Sequence, residues 1–177
     1  MNSFKNRIIR AAMLDVNLYE EVEADKGAMG QAMGIVVLSS IAAGVGLIEK
    51  GGFSGIFTGT IASLFGWYVW AYLTYFIGTK FLPEPQTEAD HGELLRTIGF
   101  SSSPGLIRVL GIIPGLGSVV YSAAAIWMLV AMVIAVRQAL DYNSTLRAVG
   151  VCVIGWVIQI SILMLLFSIL GGGAKPV

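Results

Sequence analysis

Long runs without a single charge fill most of this chain, and they limit the kind of fold open to it. After Gly51-Gly52, the stretch FSGIFTGTIASLFGWYVWAYLTYFIGT holds no Lys, Arg, Asp or Glu. Two more follow, SVVYSAAAIWMLVAMVIAV and AVGVCVIGWVIQISILMLLFSILGGG. About 20 predominantly apolar residues cross roughly 30 Å of hydrocarbon as a helix. A soluble domain could bury one such helix, but not several that leave so little polar face. Of 177 residues 56% are hydrophobic and 12% charged, with a net charge of zero; the charged share is about half that of soluble domains. The chain is expected to be an all-α, polytopic membrane protein of one domain's length.

Five hydrophobic segments are expected: Gly27–Ile48, Phe53–Thr79, Thr97–Ile113, Ser118–Val136 and Ala148–Leu170. They describe a five-helix transmembrane bundle whose third helix is short or kinked. Ser-Ser-Ser-Pro at 101–104 interrupts that helix, so it is either a kinked span or a re-entrant element shielded by its neighbours. Pro114-Gly115-Leu116-Gly117 reads as a tight turn into the fourth segment. Three regions result: a cytosolic segment 1–27, a membrane domain 28–171 and a short outer tail 172–177.

Charge placement orients the bundle. With the N-terminus inside, the inner regions hold eight cations: Lys5, Arg7, Arg10, Lys26, Lys80, Arg96, Arg137 and Arg147. The outer regions hold two, Lys50 and Lys175, and Arg108 lies in the third segment. That asymmetry predicts a cytoplasmic N-terminus and an outside C-terminus. The N-terminal stretch FKNRIIRAAML lacks the long apolar core of a signal peptide. It winds instead into an amphipathic helix with Phe4, Ile8, Ala11 and Ala12 on one side and Asn6, Arg7 and Arg10 opposite, suited to the headgroup layer. The acidic stretch Glu20–Asp25 then reads as the solvated start of the membrane domain.

Several blocks in fixed order carry a family likeness: RIIRAAMLDVNLYEEVEAD before the first span, FGWYVWAYLTYFIGTKFL in the second, and ELLRTIGFSSSPGLIRVLGIIPGLG in the third. VIAVRQALDYNSTLRA closes the fourth, and VIGW lies in the fifth. In these blocks the chain resembles bacterial members of the Yip domain family, relatives of eukaryotic Golgi membrane proteins that interact with Ypt/Rab GTPases. The resemblance implies a five-helix bundle with a cytosolic N-terminus, no enzymatic activity, and residence in a bacterial inner membrane. About 27 residues precede the first span here, fewer than in the eukaryotic relatives, and Arg108 stands where the pattern is apolar.

The chemistry-bearing residues are few. One His (His91) and one Cys (Cys152) exclude by count the usual Zn and Fe–S sites. His91 lies in LPEPQTEADHGE, which reads as a solvated loop. No catalytic, cofactor-binding or metal residues are expected, and the serines at 101–103 have no base beside them in sequence. Gly30 and Gly34, and Gly51, Gly55 and Gly59, recur at four-residue spacing and are candidate helix-packing positions, inside the bundle or between copies. Trp67, Trp70, Tyr72 and Tyr75, with Tyr68, form either an aromatic core or a cleft for a lipid or quinone. Arg108 is expected to snorkel toward phosphate, since no predicted span interior holds a carboxylate for it. Arg137 and Asp141 stand at i, i+4 and are expected to pair, with Ser144-Thr145 starting the next helix. Arg7, Arg10, Arg108, Arg137, Asp141 and Arg147 are the candidate contacts to lipid or partner. The expected role is a non-catalytic scaffold or accessory subunit of a membrane complex, touching lipids and other proteins but not nucleic acid. A small transporter or a protein handling lipid or another hydrophobic ligand is the alternative.

Overall fold

The structure, a computed structural model, describes residues 3–171; the expected outer tail with Lys175 lies outside the described residues. Within them the chain forms seven α-helices and no strand: α1 Phe4–Ala12, α2 Val16–Ala24, α3 Met29–Gly46, α4 Ile48–Lys80, α5 His91–Phe100, α6 Gly117–Ala139 and α7 Thr145–Gly171. Two 3-10 segments, Lys26–Ala28 and Ser103–Ile112, complete it. Four stretches are long and apolar enough to cross a membrane: Lys26–Gly46, Gly51–Lys80, Gly117–Ala139 and Thr145–Ile162.

Five spanning helices are not confirmed among the described residues, because the third expected segment is not one helix. After Phe100 the hydroxyls of Ser101 and Ser103 bond back to the carbonyls of Ile98 and Phe100, both at 2.7 Å. Such local bonds compete with the helical ladder. Pro104, in the first turn of the following segment, has no N–H to continue it. The chain therefore tightens, the Gly105 N–H reaching the Ser102 carbonyl at 3.0 Å, and runs on as ten residues of 3-10 helix. At about 1.5 and 2.0 Å per residue, α5 and this segment together extend about 35 Å.

Close approaches fix how the pieces lie. Ala32 meets Gly99, Ser39 meets Gly105, and Gly46 meets the Arg108 carbonyl, so α5 and the 3-10 segment run parallel to α3 along its length. α4 returns antiparallel, with Gly44 against Ile56 and a 3.1 Å bond from the Ser40 hydroxyl to that of Thr60. The reversal passes through Gly52, whose φ of 59° few other residues tolerate. α6 comes back down the composite segment, Tyr121 beside Gly111 and Met128 beside Gly105, and α7 packs Gly155 on the Trp70 ring of α4.

Two apolar clusters form the core. Trp70, Ile77, Leu94, Ile98, Leu140 and Val151 tie α4, α5, α6 and α7 together. Leu18, Tyr19, Val22, Ala32, Ile35 and Phe100 tie α2 to α3 and α5, and Trp67 packs against both.

The glycine stripe legible in the sequence is not the one the bundle uses. A Cβ on Gly30, Gly51, Gly55 or Gly59 would meet nothing within 4 Å, and one on Gly34 would only touch the Phe4 ring at 3.6 Å. A Cβ on Gly99 would lie 2.7 Å from the Ala32 Cβ and 3.1 Å from its Cα. Gly99→Ala should therefore cost about 1–3 kcal/mol through helix separation. Gly55→Ala and Gly59→Ala should cost nothing, gaining up to about 1 kcal/mol in helix propensity. Thermal unfolding of the purified variants in one detergent measures both; equal losses would place the close contact elsewhere.

Candidate functional site

Charged and polar side chains gather at one end of the bundle, where α1, α2, the loop 81–90, α5 and the α6–α7 elbow meet. α1 and α2 form a hairpin. Ser3 accepts from the Asn6 N–H and Asp15 from the Asn17 N–H, so each helix has a side-chain N-cap. Leu14 takes a φ of 62° between them. The hairpin is docked on the bundle: Leu18, Tyr19 and Val22 are fully buried, and α1 packs Phe4 and Ile8 against the second cluster.

Arg7 and Arg10 are spent inside the hairpin. Arg7 donates to Glu21 (3.0 Å), Asp25 (2.8 Å) and Gln31 (3.1 Å), and Arg10 to Asp15 (2.7 Å) and Glu21 (2.6 Å). The basic face expected to meet lipid phosphate is thus neutralised by carboxylates of the turn and second helix of the same hairpin and of the residue that follows it. Hydrogen bonds from Arg10 and Arg7 hold the Asp15 and Asp25 carboxyls below the usual range.

Helix ends here are satisfied by side chains from elsewhere in the fold. Arg96, buried on α5, caps the last carbonyls of α2, Nε reaching Val22 at 2.9 Å and Glu23 at 3.1 Å. The Trp127 indole donates to the Ala12 carbonyl at 2.7 Å, closing α1. Tyr142 donates to Gly78 and Leu82 at the end of α4, at 3.0 and 2.8 Å. Glu84 accepts from the N–H groups of Asn143 (3.0 Å) and Ser144 (3.2 Å) just before α7, while Arg147 donates to the Pro83 carbonyl at 2.7 Å and sits 3.6 Å from Glu84. Ser144 is the α7 N-cap, accepting from the Arg147 N–H at 3.4 Å.

The expected Arg137–Asp141 ion pair is not formed. Asp141 has left the helix with a φ of 52°, and Arg137 donates instead to the Tyr142 carbonyl at 3.1 Å. Asp141 faces a cleft of about 550 Å³ lined also by Glu20, Glu23, Glu93, Arg137 and Gln138. Sequence reasoning missed Arg96, Glu84 and the Glu23 cleft. The one available signal was a lone Arg between Leu94-Leu95 and Thr97-Ile98.

Within the apolar part, three expectations change. Arg108 does not snorkel outward. Its backbone lies beside Gly46 at the end of α3, yet its guanidinium reaches back along the helix to the Ser39 carbonyl (3.1 Å) and hydroxyl (2.7 Å), with Nε on the Gly105 carbonyl at 3.0 Å. Those acceptors replace water where the bilayer supplies none. The aromatic group divides. The Trp67 and Trp70 indoles turn inward, to the Leu95 carbonyl (3.0 Å) and the Met132 sulfur (3.3 Å). Tyr68, Tyr72 and Tyr75 ring His91, with ring centroids at 5.1, 5.7 and 6.3 Å. His91 is thus the first residue of α5 under an Asp90–Glu93 capping box rather than part of a solvated loop, and burial holds its imidazole below the usual range. Neither this group nor Arg108 lines the cleft or the second cavity, of about 400 Å³, between Glu49, Tyr121 and the 111–117 turn. No cluster of three or more His, Cys, Asp or Glu suited to a metal occurs among the described residues.

The model of the Yip1 domain matches residues 20–167, from within α2 to within α7. The chain belongs to the Yip1 domain family. Neither a curated protein nor a solved structure matches it. The cleft, Arg108 and the caps made by Arg96, Tyr142 and Glu84 fall inside the Yip1 domain, whereas Arg7, Arg10 and the Ala12 carbonyl capped by Trp127 precede it. Yip1 domain proteins are membrane proteins not known as enzymes, and they interact with other proteins. With its apolar helices, this chain is an integral membrane protein.

Glu21→Gln weakens the bonds to both arginines at once and should lower stability by about 1–3 kcal/mol. Because Asp15 and Asp25 have depressed values, their contribution is present above about pH 4 and lost as pH falls further; amide exchange in α1 should rise on that acid side. Arg108→Lys removes the planar fork that serves Ser39 and Gly105 together and should lower the melting temperature by the equivalent of about 1–3 kcal/mol. An unchanged melting temperature would return Arg108 to a snorkelling role.

Proposed function

We propose that this Yip1 domain protein is a non-catalytic scaffold or accessory subunit of a membrane complex, meeting its partners at the charged end. The observation that carries this reading is the build of that end: helix termini, loop and elbow are tied to one another by side-chain caps, giving a polar surface of defined shape. Leu146 stands out on it as a large apolar side chain at 82% exposure, beside Arg147. An exposed apolar residue on a largely polar surface suits protein contact.

In this reading α5 and the 3-10 segment form a fifth crossing. Their combined length of about 35 Å and their course beside α3 support it. The positive-inside asymmetry then puts the N-terminus and the charged end in the cytoplasm of a bacterial cell, with the C-terminus outside the inner membrane. The second reading, handling of a lipid or other hydrophobic ligand, is favoured by Arg108, whose bonds all go to neutral oxygens and leave its charge without a carboxylate among the described residues.

A periplasm-active reporter fused after Val177 should give signal, and one inserted within 85–93 should give none. Equal signals would mean that the third segment does not cross. Leu146→Glu should leave the melting temperature unchanged and abolish co-purification of the partner in gentle detergent. If only lipid co-purifies, and Arg108→Lys releases it, the second reading replaces the first.

A further inference from the structure

The acidic cleft at the charged end joins three elements that are distant in sequence. Glu20 and Glu23 come from α2, Glu93 from the first turn of α5, and Asp141 from the elbow after α6. The cations near it are Arg137, whose Nε is bonded to the Tyr142 carbonyl, and Arg96, whose donors go to the Val22 and Glu23 backbone. Tyr142 also lines the cleft, with its hydroxyl bonded to Gly78 and Leu82. Glu23 makes no ion pair among the described residues. It sits at the closing edge of the hairpin, one residue from the end of α2, where lifting the helix would carry it away from Glu93 and Asp141.

We propose that the cleft is a pH-sensitive latch: a proton on Glu23 holds α2 against α5 and the elbow, and its loss lets the α1–α2 hairpin lift. With Glu23 ionised, up to four carboxylates share one half-buried space and repel across the α2 contact. With Glu23 neutral, the contact loses its central charge and Arg96 keeps the helix end in place. Burial first, and then Asp141, Glu93 and Glu20, push the Glu23 carboxyl up to about 8, against the weaker pull of Arg96.

The sign follows from linkage. The docked state binds the proton more tightly than the lifted state, where Glu23 titrates near 4.3. Between those two values the equilibrium constant for lifting rises with pH, by up to about tenfold per unit, and it levels off once docked Glu23 is itself ionised. Acidification from the plateau therefore closes the latch. This is distinct from the Arg10–Asp15 and Arg7–Asp25 pairs, whose contribution fails only on the acid side. The latch lies on the surface through which a partner would bind, but it does not depend on there being one.

The test uses the full chain in detergent or nanodiscs, with amide exchange in 17–24 measured against that in α6 and corrected for intrinsic rates. In the wild type, α2 protection should fall as pH rises from about 5 and level off near 8, while α6 protection stays constant. Glu23→Gln should hold α2 protected throughout. Asp141→Asn keeps a side chain that tolerates the left-handed backbone at this position and removes one repelling charge, so the plateau should begin at lower pH. A flat wild-type profile overturns the latch, as does a Glu23→Gln profile that follows the wild type. A plateau unmoved by Asp141→Asn assigns the titration to a group outside the cleft and overturns it equally. None of these readouts involves a partner, so failure of the latch leaves the scaffold reading untouched, and the converse also holds.

Discussion

A helix interrupted inside a bilayer exposes backbone groups that hydrocarbon cannot satisfy, and this protein is arranged around one such interruption. At Ser101–Pro104 the third apolar segment changes from α to 3-10 winding. The freed carbonyls are met by the segment's own serines, and that of Gly105 by Arg108. Lipid cannot reach the break because α3 and α6 lie directly against it. That closeness depends on small residues: Gly99 on Ala32, Gly105 on Ser39, and Gly46 on the Arg108 carbonyl. Arg108 completes the seal by joining the segment to Ser39 in mid-helix.

A second constraint governs the charged end. Each helix ending there leaves unsatisfied carbonyls or N–H groups, and water is partly excluded because the elements stack on one another. Distant side chains fill the need: Arg96 for α2, Trp127 for α1, Tyr142 for α4 and Glu84 for the start of α7. The result is a layer in which every element holds another, so the N-terminal hairpin belongs to the fold rather than trailing from it. The matched domain begins inside α2, at residue 20, consistent with that helix being part of the core.

Residue by residue, legibility followed locality. The Ser144 cap and the interruption near Pro104 were readable because they depend on neighbours in sequence. The Arg137–Asp141 pair failed because it assumed a helix running through Asp141, whereas α6 ends at Ala139. The glycine stripe at 51, 55 and 59 has the right spacing but the wrong rotation, since α4 turns it away from the rest of the chain. Gly99, Gly105 and Gly46 show no such spacing, being spread over three elements. The tyrosines of α4 were visible as a cluster, but not that His91 would fold back among them, because the loop 81–90 carries no periodicity.

Sequence alone determined that this is an all-α membrane protein with apolar helices of spanning length, because partition between water and hydrocarbon depends on local composition. It also determined where the chain turns, because glycine, proline and serine act on adjacent backbone. Only the tertiary structure decided that Arg108 points into the bundle, that Arg7 and Arg10 are neutralised within the hairpin, and that Glu20, Glu23, Glu93 and Asp141 share one cleft. Those outcomes depend on the rotation of each helix about its axis and its register against its neighbours. A helix apolar on nearly every face carries little information on either, so close packing and the pairing of polar groups decide them instead.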